Sequence, residues 1–182
     1  MLYPIFLLIA ALEMLGEAYI SLRNSNRLLA LGAVEVEPQI LPVMIFLYVL
    51  MYPACLVEFL FLPRSIPQWW MILFASIFLV AKALKFWAVS ALGHYWTMRV
   101  LILPESKTVS RGPYRWIKHP NYVAVLMEIA ATCLLGKSFL TFFVIAGSFV
   151  VVLRWRIRSE EKALRRYTDY SVNMNAKHRF IP

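Results

Sequence analysis

Two clusters of polar residues stand out in a chain that is otherwise strongly apolar. The first runs from Arg111 to Tyr122 and reads RGPYRWIKHPNY, and the second is Arg158-Ser159-Glu160-Glu161. Within the first cluster, His119 can exchange a proton near neutral pH, and the Arg and Lys side chains can bind anions. The adjacent glutamates of the second cluster can bind hydroxyl or amino groups. These residue types are suited to binding a charged cofactor.

The first cluster also contains the start of a helix. Pro120 fits the first helical turn, where its missing N–H costs nothing, and Gly112-Pro113 forms a tight turn before it. His119 and Asn121 can therefore simply cap this helix, and spacing alone leaves that alternative open. The free backbone N–H groups, aromatic rings and cations around the same helix start can instead hold an anion and an adenine-sized ring. The side chains that carry this second interpretation are Tyr114, Arg115, Trp116, Lys118, His119 and Tyr122.

Long apolar segments must position these clusters. Of the 182 residues, 61% are hydrophobic, and the mean hydropathy is +0.65, which is typical of integral membrane proteins. A helix of roughly 18 or more apolar residues can cross a hydrocarbon core about 30 Å thick. The segments predicted to be membrane helices are 2–22, 41–62, 67–92, 122–135 and 139–153. We therefore predict an all-α integral membrane protein with about five transmembrane helices, of which the last two form a hairpin.

The basic residues predict an orientation. Most of the 19 Lys and Arg residues follow the first and third apolar segments or lie in the C-terminal tail, whereas the other side holds only Arg64 and Lys137. This bias places the N-terminus outside and both polar clusters on the cytoplasmic side. Basic loops beside anionic lipid also account for the net charge of +9, so we expect no nucleic-acid partner.

Cysteine and histidine positions give no sign of a metal site. Cys55 and Cys133 both fall inside apolar segments, which predicts a packing role for each. His94, His119 and His178 lack the spacing of metal ligands, so we expect no metal.

Several charged residues fall inside the apolar segments. Lys82 and Lys85 either snorkel toward the nearer membrane surface, which is the favoured interpretation, or face a cavity. Glu13 and Glu17 are four residues apart and are expected to bond to other helices, for example to these lysines. Glu128 lies closer to the first cluster, and it can make such a bond or contact a substrate or cofactor.

The two clusters together resemble the isoprenylcysteine carboxyl methyltransferase family. The resemblance rests on Arg111-Gly112-Pro113-Tyr114 with Lys118-His119-Pro120-Asn121-Tyr122, followed some forty residues later by Arg158-Ser159-Glu160-Glu161-Lys162-Ala163-Leu164. It implies S-adenosylmethionine as the methyl donor and a cofactor pocket closed by the C-terminal segment. It also divides the chain into three membrane helices in residues 1–92 and a cofactor-binding region in residues 93–182.

A less specific match concerns the acceptor. Leu92-Gly93-His94-Tyr95-Trp96-Thr97 is similar to a bacterial branch of the family that methylates alkylpyrones. The resemblance therefore implies an enzyme of the bacterial cytoplasmic membrane. Its substrate would be a lipophilic small molecule or a prenylated substrate, of alkylpyrone or prenylcysteine type, with a carboxylate or an acidic hydroxyl.

The resemblance and the residue types assign roles to individual side chains. Arg115 and Arg158 are predicted to position the anionic acceptor, and His119 to bind the cofactor and accept a proton. The predicted cofactor-binding residues are His94, Tyr114, Lys118, His119, Pro120, Asn121, Tyr122, Glu160 and Glu161. Two alternatives are a membrane NADPH-dependent sterol-type reductase, which also carries His-Pro-Asn-Tyr before a helix, and a non-enzymatic membrane adaptor. The Glu160-Glu161 pair favours the methyltransferase over the reductase.

Overall fold

Five helices account for most of the chain. A computed structural model describes residues 2–62 and 64–170, and its helices are α1 Leu2–Ala30, α2 Ile40–Phe61, α3 Gln68–Leu92, α4 Pro120–Leu135 and α5 Phe139–Tyr167. Within these residues, α1, α2, α3 and α5 are long and apolar enough to cross a membrane, and α4 is a shorter apolar helix of 16 residues. The predicted all-α membrane fold is confirmed.

The helices pack around an apolar interior. α3 lies along α4, α2 lies along α5, and α4 and α5 form the predicted hairpin. Met51 and Ile129 are fully buried in this interior, together with Cys55 and Cys133. The two cysteine Sγ atoms are 3.5 Å apart, so the predicted packing role of both residues is confirmed.

The turn between α4 and α5 also fixes the N-terminal end of α1. A Cβ atom at Gly136 would lie 2.2 Å from the ring of Tyr3, so the absence of a side chain is what allows α1 to approach this turn. The Tyr3 hydroxyl donates a hydrogen bond of 2.8 Å to the Thr132 carbonyl oxygen. α1 is thereby attached to the hairpin at the end of the molecule opposite the polar clusters.

α5 continues well beyond its apolar part. The predicted segment ended at residue 153, but the helix runs to Tyr167 and carries Glu160 and Glu161 about two turns past that point. The sequence between these positions contains no Pro or Gly to end the helix. Both glutamates therefore have positions fixed by a rigid membrane helix.

The connections at the same end of the molecule are joined by a short two-stranded sheet. β1 (Val34–Glu35) pairs antiparallel with β2 (Leu101–Ile102), with Val34 opposite Ile102. The chain then enters a short 3₁₀ helix at Gly112, where φ is +58° and a Cβ would lie 2.9 Å from the Ala91 Cβ atom. A glycine is needed for this close approach to α3. The contact holds the beginning of the first polar cluster against α3, shortly before the chain enters α4.

The intramembrane lysines do not snorkel. Lys85 Nζ lies 2.6 Å from Glu17 Oε2 and 2.9 Å from Glu128 Oε2, and Lys82 Nζ lies 3.1 Å from Glu13 Oε2. The snorkelling prediction is wrong, whereas the predicted interhelical bonds of the two α1 glutamates are confirmed. Opposite charges on neighbouring helices stabilise these side chains, which lie on helices long and apolar enough to cross a membrane.

Candidate active site

A cavity of about 310 Å³ lies where the start of α4, the polar part of α5 and the α3–α4 connection meet. Its volume is within the range of small-molecule binding sites. Residues 96–109 form one wall, and α1 and α2 add side chains at membrane depth, among them Met14, Met44 and Tyr48. Both the 1–92 and the 93–182 parts of the chain therefore contribute to this cavity.

His119 connects the two polar clusters. It immediately precedes α4, is buried, and stacks on the Tyr122 ring with the ring centres 5.3 Å apart. Its Nε2 atom lies 3.2 Å from Glu161 Oε1 on α5. A residue of the first cluster thus contacts the second cluster directly.

Tyr122 forms a second connection between α4 and α5. Its hydroxyl donates a 2.5 Å hydrogen bond to Glu160 Oε2 and accepts one of 2.7 Å from Arg156 Nε. The buried Arg156 guanidinium also donates from Nη2 to the Met98 carbonyl oxygen, and its Nη1 lies 3.8 Å from Met44 Sδ. A thioether sulfur is a weak acceptor, so Nη1 is the donor of Arg156 that can best bind a ligand oxygen.

Two polar atoms in the lining have no hydrogen-bond partner in the described part of the chain. They are Asn121 Oδ1 and the indole Nε1 of the buried Trp96. Buried polar groups are nearly always hydrogen-bonded, so these two enclosed atoms, one acceptor and one donor, are candidates for contact with a bound ligand or water. Tyr114 also lines this cavity, and burial together with the nearby charge of Glu160 raises the pKa of its phenol, which is therefore neutral at physiological pH.

Most of the predicted site residues meet at this cavity. Those that line it are Tyr114, Lys118, His119, Asn121, Tyr122 and Glu160. Pro120 is the buried first residue of α4, and Glu161 lies behind His119. From the C-terminal segment, Leu164, Thr168 and Tyr170 close one side. Residues 171–182, including His178 and the end of the predicted closing segment, lie outside the described residues.

Three predicted site residues lie away from the cavity. His94 is exposed and its ring lies 4.2 Å from that of Tyr95. Arg115 is exposed beside Trp116, because the short 3₁₀ helix turns the neighbouring Tyr114 inward instead. Arg158 is exposed on α5, since it lies two residues before Glu160 and so projects about 200° away around the helix.

Arg156 is the site residue that the sequence analysis missed. Positions 154, 156 and 158 are all arginines, so residue type alone does not distinguish them. Arg156 lies four residues before Glu160 and therefore shares its face of the helix, whereas the other two do not. The phase of α5 was therefore the available signal. Within the described residues, no group of three His, Cys, Asp or Glu side chains is arranged to hold a metal ion.

The part of the chain that carries both polar clusters matches a known protein family. A sequence profile of the isoprenylcysteine carboxyl methyltransferase family matches residues 71–166. The chain is 32% identical over 165 residues to the uncharacterized protein YpbQ of Bacillus subtilis, an alignment that covers 90% of this chain and 98% of that protein. An uncharacterized protein of Haemophilus influenzae is 27% identical over 146 residues, which is 80% of this chain and 84% of that protein. The family profile matches more than half of this chain. The chain therefore belongs to the isoprenylcysteine carboxyl methyltransferase family.

Proposed function

We propose that the protein is an S-adenosylmethionine-dependent O-methyltransferase that acts on a lipophilic acceptor in a bacterial cytoplasmic membrane. Family membership implies a membrane methyltransferase. The observation that carries the cofactor assignment is the cavity in which both polar clusters meet and in which Asn121 Oδ1 and Trp96 Nε1 are buried without partners.

The polar groups of the cavity match the cofactor chemically. Glu160 can accept hydrogen bonds from ribose hydroxyls or from an ammonium group, and Lys118 can bind a carboxylate. The unpaired Trp96 N–H and Asn121 oxygen supply one further donor and one further acceptor. Bound in this cavity, S-adenosylmethionine supplies a methyl group on a positively charged sulfur.

The protein's own contribution is to position the acceptor oxygen and to exclude water. Methyl transfer is an in-line displacement that needs the oxygen at about 3 Å and correctly aligned. We assign the positioning role to Arg156 in place of Arg115 and Arg158, because its guanidinium is buried in the cavity wall and, among the described residues, the hydrogen-bond partner of its Nη1 is a sulfur atom. His119, held by Glu161, is proposed to be a cofactor ligand and to fix the ring of Tyr122.

The acceptor is proposed to reach this cavity from the lipid. The lining from α1 and α2 includes the apolar side chains of Met14, Ala18, Leu41 and Ile45, next to the polar groups of Glu17, Tyr48 and Lys85. An alkyl or prenyl tail can lie in this part while a carboxylate or an acidic hydroxyl lies near the cofactor. The positive-inside bias places the cofactor end at the cytoplasm, where S-adenosylmethionine is available.

Ligand binding to the purified protein tests the proposal. We expect S-adenosylmethionine to bind and NADPH not to bind in calorimetric titrations, and Glu160→Gln to weaken cofactor binding. Lys162→Gln, an exposed change two residues away on α5, is the matched control and should bind normally. Binding of NADPH alone would instead support the reductase, and binding of neither cofactor would support the adaptor.

Activity then identifies the acceptor class. Membranes that contain the protein are incubated with labelled S-adenosylmethionine and with alkylpyrone, alkylresorcinol and prenylcysteine acceptors in parallel. We expect label in at least one lipophilic product and no label when Glu160→Gln replaces the wild type. A cofactor-binding protein that labels no oxygen-bearing lipid would contradict the O-methyltransferase assignment.

A further inference from the structure

A second polar region lies deeper in the membrane than the cofactor end. It consists of Glu17 on α1, Tyr48 on α2, Lys85 on α3 and Glu128 on α4, and we refer to these four residues as the Glu17 cluster. Lys85 Nζ contacts Glu17 Oε2 at 2.6 Å and Glu128 Oε2 at 2.9 Å, and the Tyr48 hydroxyl donates to Glu128 Oε2 at 2.8 Å. Helices α1, α3 and α4 thus meet at one buried ammonium group, and α2 joins them through the bond from Tyr48 to Glu128.

The Glu17 cluster belongs to the wall of the same cavity. Glu17, Tyr48 and Lys85 all line it. Glu128 lies nine residues after His119, which is about 13 Å along α4, so the cluster faces the cavity from the end opposite the proposed cofactor ligands. An acceptor bound between the two ends would have the proposed cofactor ligands on one side and Glu17 on the other.

The charges of the cluster do not balance. Three carboxylates lie within 3.5 Å of two ammonium groups: Lys85 contacts Glu17 and Glu128, and Lys82 contacts both of these and the more exposed Glu13. Glu128 Oε1 is buried and accepts no hydrogen bond, although Lys82 Nζ lies 3.4 Å away. With three acids and two lysines, the group has one carboxylate more than charge pairing requires. The excess negative charge beside the cavity is suited to accepting a proton.

We propose that Glu17 is the catalytic base for a hydroxyl acceptor and that Lys85, together with Arg156, binds the oxygen anion that results. The acceptor O–H bond breaks and its proton passes to the Glu17 carboxylate. The same oxygen then forms a bond to the methyl carbon of the proposed donor as the sulfur–methyl bond breaks, and that electron pair stays on the sulfur to give a neutral thioether. The proton returns to water after the methyl ether has left.

This inference rests on the proposed function and narrows it. A carboxylate acceptor is already ionised at neutral pH and needs no base, whereas a weakly acidic hydroxyl does. The groups that face Glu17 are Glu13 from its own helix, Tyr48, Lys82, Lys85 and Glu128. Their arrangement therefore favours an acceptor that reacts through a neutral hydroxyl group.

Two acceptors that differ in acidity test the role of Glu17. One is a long-chain alkylphenol with a pKa of about 10, and the other is its ring-nitrated counterpart, which is ionised at neutral pH. We expect Glu17→Gln to lower turnover of the first about 100-fold, the contribution typical of a general base, and to leave turnover of the second nearly unchanged. Glu17→Asp keeps a carboxylate and should recover part of the loss.

Glu13→Gln is the matched control. It removes a carboxylate from the same helix one turn away, but Glu13 is half exposed and does not line the cavity. This variant should keep the wild-type ratio of the two turnover rates. Equal losses for both acceptors in Glu17→Gln would indicate a structural role and overturn the inference, as would no loss for either.

Cofactor titration separates this inference from the proposed function. If the wild type does not bind S-adenosylmethionine, the proposed function fails. If it binds the cofactor but methylates neither phenol, only the role of Glu17 is overturned.

Wild-type kinetics decide the question if Glu17→Gln does not fold. Without an internal base, turnover of the alkylphenol would rise about tenfold for each pH unit below its pKa, because only the phenolate would react. With Glu17 as the base, turnover between pH 7 and pH 9 should be nearly independent of pH. A tenfold rise per unit overturns the inference.

Discussion

The Tyr122 hydroxyl makes two hydrogen bonds in the candidate site. It donates to Glu160 and accepts from Arg156, so one oxygen atom connects a carboxylate to a buried guanidinium. We predict that Tyr122→Phe lowers the affinity for S-adenosylmethionine about tenfold, or about 1.4 kcal/mol, because it leaves both groups with an unmade hydrogen bond. Calorimetric titration measures this change. Tyr19→Phe, which alters an exposed tyrosine, should bind normally, and normal binding by Tyr122→Phe would exclude this connection from the cofactor site.

The contact between His119 and Glu161 should couple the two residues energetically. Nε2 and Oε1 are 3.2 Å apart and both side chains are buried. In a double-mutant cycle with His119→Ala and Glu161→Gln, we expect the losses in cofactor binding to be non-additive by about 1 kcal/mol. Fully additive losses would show that the two residues act independently.

The sequence predicted the residue types around the cavity better than which individual cations line it. His119, Tyr122 and Glu160 were identified because Pro120 defines a helix start and the two motifs have a characteristic separation. Arg156 was missed because its role depends on the rotation of α5, which is set by packing against the rest of the bundle. The same rotation turns Arg158 outward.

At the scale of whole elements, two glycines provide a comparison between a packed and an open position. We predict that Gly136→Ala lowers the melting temperature, because its Cβ would lie 2.2 Å from the Tyr3 ring and would force α1 away from the α4–α5 turn. The cost should be about 1–3 kcal/mol. Gly147→Ala is the control, since nothing lies within 4 Å of the point on α5 that its methyl group would occupy and alanine favours helix by up to about 1 kcal/mol. Thermal unfolding in detergent measures both, and a Gly136→Ala protein as stable as the wild type would contradict the close packing described.

Apolar length predicted the helices, but not where the longest of them end. The polar ends of α1 and α5 are helical because nothing in their sequences stops the helix, although their apolar parts end at positions 22 and 153. The pairing of β1 with β2 could not be predicted, since two-residue strands have no recognisable alternation of apolar and polar residues. The bond between Lys85 and Glu17 was among those expected, whereas the sequence left open whether Glu128 joins it, because that depends on which helices are neighbours.

For the whole molecule, the orientation in the membrane is testable by cysteine labelling. We predict that a membrane-impermeant thiol reagent applied to intact cells labels Ser65→Cys but not Ser110→Cys, because the positive-inside bias places residue 110 in the cytoplasm. Both serines are exposed, and the two native cysteines are buried, so background labelling should be low. Permeabilised cells should label both variants. Labelling of Ser110→Cys alone in intact cells would reverse the topology and place the cavity outside.

Lateral access from the lipid predicts how activity depends on the acceptor's tail. Since α1 and α2 line the cavity at membrane depth, a longer tail buries more apolar surface there. Each added CH₂ is worth about 0.8 kcal/mol, so kcat/KM, referred to acceptor dissolved in water, should rise about fourfold per methylene until the cavity is filled.

Filling the apolar part of the cavity separates this route from access through water. Ala18→Phe adds a ring to the lining of α1, and it should slow methylation of long-tailed acceptors while leaving tailless ones at their low wild-type rate. Leu15→Phe adds bulk to an exposed position of the same helix and should change neither rate. An Ala18→Phe enzyme that slows both acceptors equally would contradict a separate route for the tail, because the substitution would then affect a part of the cavity that both acceptors use.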